Sequence, residues 1–339
     1  MDSDAGSRNA GDQMETAADD QDPQRRTDES SSAVHQPPLP LPWRLNRPRG
    51  EADFAHPAEV DFASILTYYR VRWAYEPTTF ALAWADDGQP SEMFTPDFYL
   101  PDHRLYIELT TMRQRLVTRK NRKLRRLREL YPTVRVKLLY RRDYHRLLDS
   151  YHADKGPRST CHIGRVLFGE EQIRTRVAEL ADELAPVIAS AANEPLALTI
   201  GAGARRFADT MVREIGARGV PLEREAIRLS RFSTGGRHRV RVSRGPRAPL
   251  AGRHVVLFTD IVSTGLSLSY LCGWLRRRGV ARIEVCTLLD RREARLVDLP
   301  HVYAGFEAPN ELLIGFGLHL RSQFRDLPHI ATLAVDGPP

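Results

Sequence analysis

The sequence predicts an α/β fold built in two units, and three observations predict it. Between residues 163 and 335, apolar strand-like runs alternate with amphipathic helix-like runs, as they do in a parallel sheet flanked by helices. Between 51 and 150, one helix, three short β-rich segments, a second helix and a strand make a smaller α/β module. The polar stretch "DSYHADKGPRST" runs into a linker at 151–162. At 339 residues the chain is long enough for two domains of ordinary size.

The elements follow in order. Residues 1–50 hold "PPLPLP" and few apolar side chains, and the first 34 carry nine Asp or Glu against three Arg, so a disordered acidic tail is expected. In "HPAEVDFASILTYYRVRWAYEP", Val60, Phe62, Ile65, Leu66 and Tyr69 recur at helical spacing, and a short strand follows. "TFALAW", "MFTPDFYLP" and "LYIELTT" read as β segments, with "DDGQP" and "PDH" as turns between them. "RQRLVTRKNRKLRRLRELYP" places Leu124, Leu127 and Tyr131 on one side of a helix, and "VRVKLLY" is a strand after it. Past the linker come the helix "EEQIRTRVAELADELAPVIA" and then "PLALTI", "RFADTMVREIGARG", "RHVVLFTD", "GLSLSYLCGWLRRRG" and "IEVCTLLD" in strand–helix alternation.

Bulk properties narrow the class. The net charge of +7 understates the basic character of everything after the tail. Cys161, Cys272 and Cys286 are odd in number and far apart, which supports neither a disulfide framework nor a zinc knuckle. No apolar run approaches the roughly 20 residues that span a bilayer, and the acidic start is unlike a signal peptide. A cytoplasmic protein is expected.

The stretch "VVLFTDIVSTGLSLSY" carries the first chemical signal. A buried strand delivers the chain to the turn "TDIVSTG", with Gly265 where a helix begins. In a parallel sheet that is the carboxyl end of a strand, where ligands bind, and free N–H groups at a helix start favour an anion. Ser263, Thr264, Ser267 and the amides around Gly265 can cradle a phosphate; an ordinary strand-to-helix turn with serine caps fits the spacing equally well.

Residues 163–333 resemble the hypoxanthine (6-oxopurine) phosphoribosyltransferase family. "VLFTDIVSTGLSLSYL" is similar to its phosphoribosyl-pyrophosphate loop, "IEVCTLLDRRE" to its purine-contacting turn, and "YAGFEAPNELLIGFGLHLRSQFRDLPHIATL" to its C-terminal segment. "EEQIRTRVAELADEL" and "RLSRFSTGGRHRVRVSR" stand where the family has its first helix and its mobile catalytic loop. The resemblance implies a type I phosphoribosyltransferase fold, magnesium, and phosphoribosyl pyrophosphate with a purine base or nucleotide as partners. It also implies roles for residues. Thr259 and Asp260 replace an adjacent Glu-Asp pair on the ribose hydroxyls, and Ser263 replaces the acid that accepts a proton at purine N7. A serine hydroxyl is no general base near neutral pH. Thr264, Gly265, Leu266 and Ser267 hold the 5′-phosphate, and Arg325 meets pyrophosphate. Arg291 replaces the lysine that donates to the purine oxygen, Leu312 the aromatic ring that stacks on the base, and His319 an aspartate that helps hold magnesium. Ala202-Gly203, with Arg205 and Arg206 nearby, replaces a Lys-Gly pair. The losses fall on base recognition and acid–base chemistry, so a domain that binds a phosphorylated ribose and transfers poorly is expected.

In the first unit, "FTPDFYLPDHRLYIELT" sets Asp97 and Glu108 on neighbouring β segments, as a divalent cation for phosphodiester hydrolysis requires. This resembles the PD-(D/E)xK nuclease superfamily with its restriction-endonuclease-like module. The motif's lysine is missing at Thr110. The resemblance allows Lys120 or Lys123 on the next helix to supply it, and Glu59 to add a further carboxylate. A turn hydrogen bond for Asp97 and a solvent-facing Glu108 would also fit. Residues 113–128 hold nine Arg or Lys and no acid; Arg113, Arg115, Arg119, Lys120, Arg122, Lys123, Arg125 and Arg126 suit DNA or RNA phosphates, or a merely solvated face. His145 and His152 lack metal-ligand company, and "IGAGARRF" lacks the third glycine of a dinucleotide loop. Two functions follow: a purine phosphoribosyltransferase-type protein, expected to assemble as a homo-oligomer, or a nucleotide-gated nuclease or nucleic-acid-binding sensor.

Overall fold

The computed structural model describes residues 54–110, 114–140, 161–191, 194–234, 237–319 and 323–335. The acidic tail, Arg113, His145, His152 and the linker up to residue 160 lie outside the described residues, as does the side chain of Arg115.

Helix α1, Pro57–Tyr68, starts where proline costs nothing, and a capping box closes its N-terminus. The Ala58 amide donates to Nδ1 of His56 at 3.0 Å, while Oε2 of Glu59 accepts from the amides of Ala55 and His56 at 2.9 and 3.3 Å. Its inward face is Phe62, Ile65 and Leu66. Strands β1 (Ala74–Tyr75), β4 (Phe98–Leu100), β5 (Leu105–Thr110) and β6 (Arg135–Tyr140) form a four-stranded sheet in the order β1-β4-β5-β6. Helix α2, Gln114–Leu130, connects β5 to its parallel neighbour β6. Leu124, Leu127 and Tyr131 are buried, as their spacing predicts. The segment "MFTPDFYLP" departs from expectation. It divides at 95–97, because β3 (Pro90–Phe94) pairs with β2 (Phe80–Trp84) as a separate hairpin and only β4 joins the main sheet. That division places Asp97 at the mouth of the sheet.

The second unit is a six-stranded sheet in the order β10-β9-β8-β11-β12-β13, parallel except for β10. Its members are β8 (Pro195–Ile200), β9 (Glu223–Thr234), β10 (Arg237–Arg244), β11 (His254–Val262), β12 (Arg282–Asp290) and β13 (Val302–Glu307). Helices α3 (Glu170–Ala189) and α4 (Arg205–Ala217) cover one face and α5 (Leu266–Arg276) the other. A small antiparallel sheet, order β14-β15-β7, stands over the carboxyl ends: β7 is Cys161–Phe168, β14 Leu313–Ile314 and β15 Ile330–Val335. The mixed α/β architecture with a parallel sheet is the predicted one. Strand β11 runs on to Val262, past the predicted end at Phe258, so the turn shrinks to Ser263–Gly265.

The two units share an apolar core. Phe62, Leu66, Trp73, Phe98 and Ile107 from the first pack in one cluster with Leu266, Leu296 and Val297 from the second. Full burial of each such side chain contributes about 1.5 to 3 kcal/mol. Around that cluster, Arg135 pairs with Asp298 at 3.0 Å, and Nζ of Lys137 donates to the carbonyls of Glu293 and Arg295.

Candidate functional sites

The candidate phosphate loop is built mainly from backbone. β11 ends at Val262, and Gly265 caps α5 with φ +80°, a conformation side-chain-bearing residues rarely adopt. No side chain caps that helix start. The first intrahelical bond is Ser269 N–H to the Gly265 carbonyl at 2.8 Å, and Thr264 Oγ1 reaches the Leu266 amide only at 3.5 Å. The amides of Ser267 and Leu268 therefore point out of the helix unspent, at its positive end. A Cβ on Gly265 would press on Cδ of Arg295 at 2.9 Å and on Val297 at 3.1 Å. The Leu266 side chain is in the shared core, so this residue can offer a ligand its amide but not its side chain.

Beneath the loop, Asp260 is held on one oxygen by the Ile261 amide at 2.8 Å and by Thr259 Oγ1 at 3.3 Å. Its other oxygen lies against Gly203, where a Cβ would collide with it, and Gly317 closes on the Gly203 carbonyl in the same way. Burial pushes the Asp260 carboxyl above its usual range, opposed by the Ile261 amide, the Thr259 hydroxyl and exposed His319. Arg325 leaves its Nε buried without a hydrogen-bond partner among the described residues. Arg291 donates to the Glu311 carbonyl and ties the turn after β12 to the segment before β14, where Leu312 is 56% exposed. Arg206 does not face an anion: it donates to the carbonyls of Asp326 and Leu327 and lies over the Phe316 ring.

Sequence reasoning missed the brace behind this loop. Arg295 donates to the Ser263 carbonyl at 3.3 Å and pairs with the buried carboxylate of Asp290. Lys137, from the first unit, donates to the carbonyl of the same Arg295 at 2.7 Å. A buried acid at the end of a strand was the available signal for Asp290; nothing local marked Lys137.

The second cluster is built from side chains. Asp97 precedes β4, Glu108 lies on β5 and Lys120 on α2. Oδ2 of Asp97 accepts from the Leu109 amide at 2.6 Å; Lys120 Nζ meets Glu108 Oε1 at 2.5 Å and the Leu109 carbonyl at 2.8 Å. Glu108 is buried, and its Oε2 has no hydrogen-bond partner among the described residues. Burial and the adjacent Glu108 push Asp97 up to about 7, and burial raises Glu108 against the pull of Lys120. Lys123 is elsewhere: it donates to the Met93 carbonyl and braces the hairpin. Glu59 spends Oε2 on its helix cap and on Tyr75 Oη at 2.7 Å, and acts on the pair only through its charge.

The basic helix is less open than its composition suggests. Arg122 pairs with Glu92, Arg126 with Glu129 and the Leu82 carbonyl, and Arg128 with the Val136 carbonyl. Arg119 and Arg125 remain exposed. These bonds fasten α2 to the sheet and hairpin beneath it.

The family profile described as a phosphoribosyl transferase domain matches residues 170–321. The chain is 34% identical over 177 residues to the hypoxanthine-guanine phosphoribosyltransferase of Mycobacterium avium, covering 50% of this chain and 86% of that one. It is 32% identical over 173 residues to the enzyme of the same name from Bacillus subtilis, covering 50% and 93%. The chain thus belongs to the phosphoribosyltransferase family, through its C-terminal half. Among solved structures, the hypoxanthine phosphoribosyltransferase of Trypanosoma cruzi in complex with the product IMP is 31% identical, with a TM-score of 0.47 over 52% of this chain and 98% of that one.

Among the described residues no group of three or more His, Cys, Asp or Glu is arranged to hold a metal ion, and no helix is long and apolar enough to cross a membrane. In the second unit, a half-buried Asp260 already bonded to an amide and an exposed His319 do not make a magnesium site by themselves. In the first, the unpartnered Oε2 of Glu108 beside Asp97 does fit a divalent cation, which often takes only one or two carboxylates from protein.

Proposed function

We propose that the C-terminal half binds a 5′-phosphorylated ribose, as phosphoribosyl pyrophosphate or a purine nucleotide, and transfers the ribosyl group slowly. The observation that carries this reading is the uncapped start of α5, with Gly265 in a left-handed conformation and outward amides behind it. Those amides and the hydroxyls of Ser263, Thr264 and Ser267 receive the phosphate; the orphan Nε of Arg325 is a donor for a second anionic group. Asp260 accepts from a ribose hydroxyl. No step is routed through magnesium, because the residues here do not assemble a site for it. Ser263 stands where the resemblance places a proton acceptor, and with no carboxylate there the purine N7 proton has no acceptor of suitable basicity, which costs about 10²- to 10⁴-fold in rate. The test is pyrophosphate release from phosphoribosyl pyrophosphate with hypoxanthine or guanine. Ser263→Asp is expected to raise turnover at least tenfold with little change in ligand affinity. Equal turnover by the parent protein and the variant would overturn the slow-transfer reading; absence of binding by calorimetry would overturn the whole.

A second reading is favoured by the convergence of Asp97, Glu108 and Lys120 from three elements. It assigns the first unit metal-dependent hydrolysis of a DNA or RNA phosphodiester, gated by the ligand of the second. Asp97 and Glu108 would hold a divalent cation, which when bound polarises the phosphate and activates water. Lys120 steadies Glu108 and offers a cation to the departing oxygen. Nicking of plasmid DNA and cleavage of single-stranded RNA, with and without phosphoribosyl pyrophosphate, test it. Cleavage that survives Asp97→Ala, or none on either substrate, counts against the assignment.

A further inference from the structure

A cavity of about 480 Å³ opens at the seam between the two units, away from both sites described above. Arg70 and His103 line it from the first unit; Ser269, Gly273, Arg276 and Arg277 line it from α5. Its charges are unbalanced. The acids at its rim, Asp102 and Asp298, are engaged by arginines that do not line it: Arg72 Nε reaches Asp102 at 2.8 Å, and Arg135 takes both oxygens of Asp298 at 3.0 and 3.1 Å. Among the described residues, no acid pairs with Arg70, Arg276 or Arg277.

One further feature lacks an explanation in packing. Gly273 lies inside α5, where glycine costs about 1 kcal/mol relative to alanine. A Cβ there would meet only the Arg277 guanidinium, at 3.4 Å. The missing side chain buries nothing; it opens the cavity floor. Arg70 sits at φ +58°, in the left-handed region, with its guanidinium 5.6 Å from the centre of the Tyr270 ring. That conformation belongs to the C-cap of α1, where the Val71 amide donates to the Leu66 carbonyl at 2.9 Å and the Arg70 amide to the Thr67 carbonyl at 3.0 Å. Cations at a helix C-terminus offset its dipole, which accounts for Arg276 and Arg277 at the end of α5 and for Arg70 just past the end of α1, but not for Gly273 or for the convergence of the three on one cavity.

We propose that this seam cavity binds a compact polyphosphate anion through Arg70, Arg276 and Arg277. Guanidinium forks match phosphate oxygens two at a time, and three of them around a small bay favour a multiply charged ligand over a single carboxylate. The ligand's phosphates come either from a free polyphosphate chain or from the tail of a nucleotide. Ser269, at the near edge of the cavity, is one turn from the loop, but Arg276 and Arg277 stand at the opposite end of the 11-residue α5, about 16 Å along its axis.

Calorimetry on the full chain with sodium tripolyphosphate and with ATP tests the site. Saturable binding is expected for at least one, weakened at least tenfold by Arg70→Ser or Arg276→Ser. Gly273→Met fills the floor without removing charge or disfavouring helix, and is expected to block binding. Gly265→Ala, which disrupts the phosphate loop, is expected to leave it intact. Comparable affinities indicate recognition of the phosphate chain alone; tighter ATP binding, still blocked by Gly273→Met, adds the nucleoside. Binding lost in Gly265→Ala but kept in Gly273→Met would place the ligand in the loop and overturn the proposal. So would binding to neither probe, or weak binding that follows salt alone and ignores all three seam variants.

Discussion

The two candidate sites are made of different material. In the C-terminal half the candidate phosphate loop presents main-chain amides at a helix start, shaped by one left-handed glycine. In the N-terminal half the cluster is three ionisable side chains from three elements, two of them carboxylates with raised pKa. An amide cradle needs only its backbone path and tolerates exchange of the surrounding acids. A carboxylate cluster depends on its cation, since removing Lys120 leaves Glu108 buried without compensation. The difference teaches where each half is fragile: the first at its charges, the second at its turn.

The largest expected effect is on the carboxylate side. Asp97 titrates near 7 in the folded chain, well above an unfolded aspartate. Between about pH 4 and 7 the folded state therefore binds more protons than the unfolded one, and stability falls as pH rises through that window. In metal-free buffer, Asp97→Asn should raise urea stability at pH 8 by roughly 2 to 4 kcal/mol, with the gain vanishing near pH 4. An unchanged or lowered midpoint at pH 8 would mean that the two acids do not repel as described.

Lys120→Met should act in the opposite direction. It strands Glu108 without its cation and should cost about 3 kcal/mol at pH 7, whereas Lys123→Met, remote from the pair, should cost under about 1 kcal/mol. Equal losses would erase the distinction between the two lysines.

On the backbone side, Gly265→Ala should destabilise by about 1 to 2 kcal/mol, from the left-handed φ and the press on Arg295. It should also weaken phosphoribosyl pyrophosphate binding at least tenfold, read by calorimetry. Alanine at Ser267, which removes a hydroxyl and keeps the amide, should weaken it less; the reverse order would make the site one of side chains after all.

The smallest expected effect sharpens the link between the halves. Lys137→Met removes donors from the carbonyls of Glu293 and Arg295, and Arg295 holds the Ser263 carbonyl. Binding at the loop should weaken about three- to tenfold, as expected for roughly 1 kcal/mol, with Lys137→Arg restoring most of it.

Much of this was legible in the chain. The alternation after residue 163 gave the parallel sheet, because strand and helix periods are local properties of apolar spacing. Gly265 was legible too, since only glycine takes that turn without strain. So was the pairing of Asp97 with Glu108, which needs only two adjacent strands. The lysine was not: Lys120 and Lys123 lie three residues apart on one helix, and only the packing of α2 on the sheet turns the first to Glu108 and the second to the hairpin carbonyl of Met93. The basic helix misled for a related reason, because composition counts charges and cannot show which carbonyls and acids already hold them. The Lys137–Arg295–Ser263 brace and the seam cavity join residues more than 120 positions apart. Local sequence fixes what a segment prefers to be. Which segments meet, and which charges are left over where they do, is decided only when the two units close on a common core.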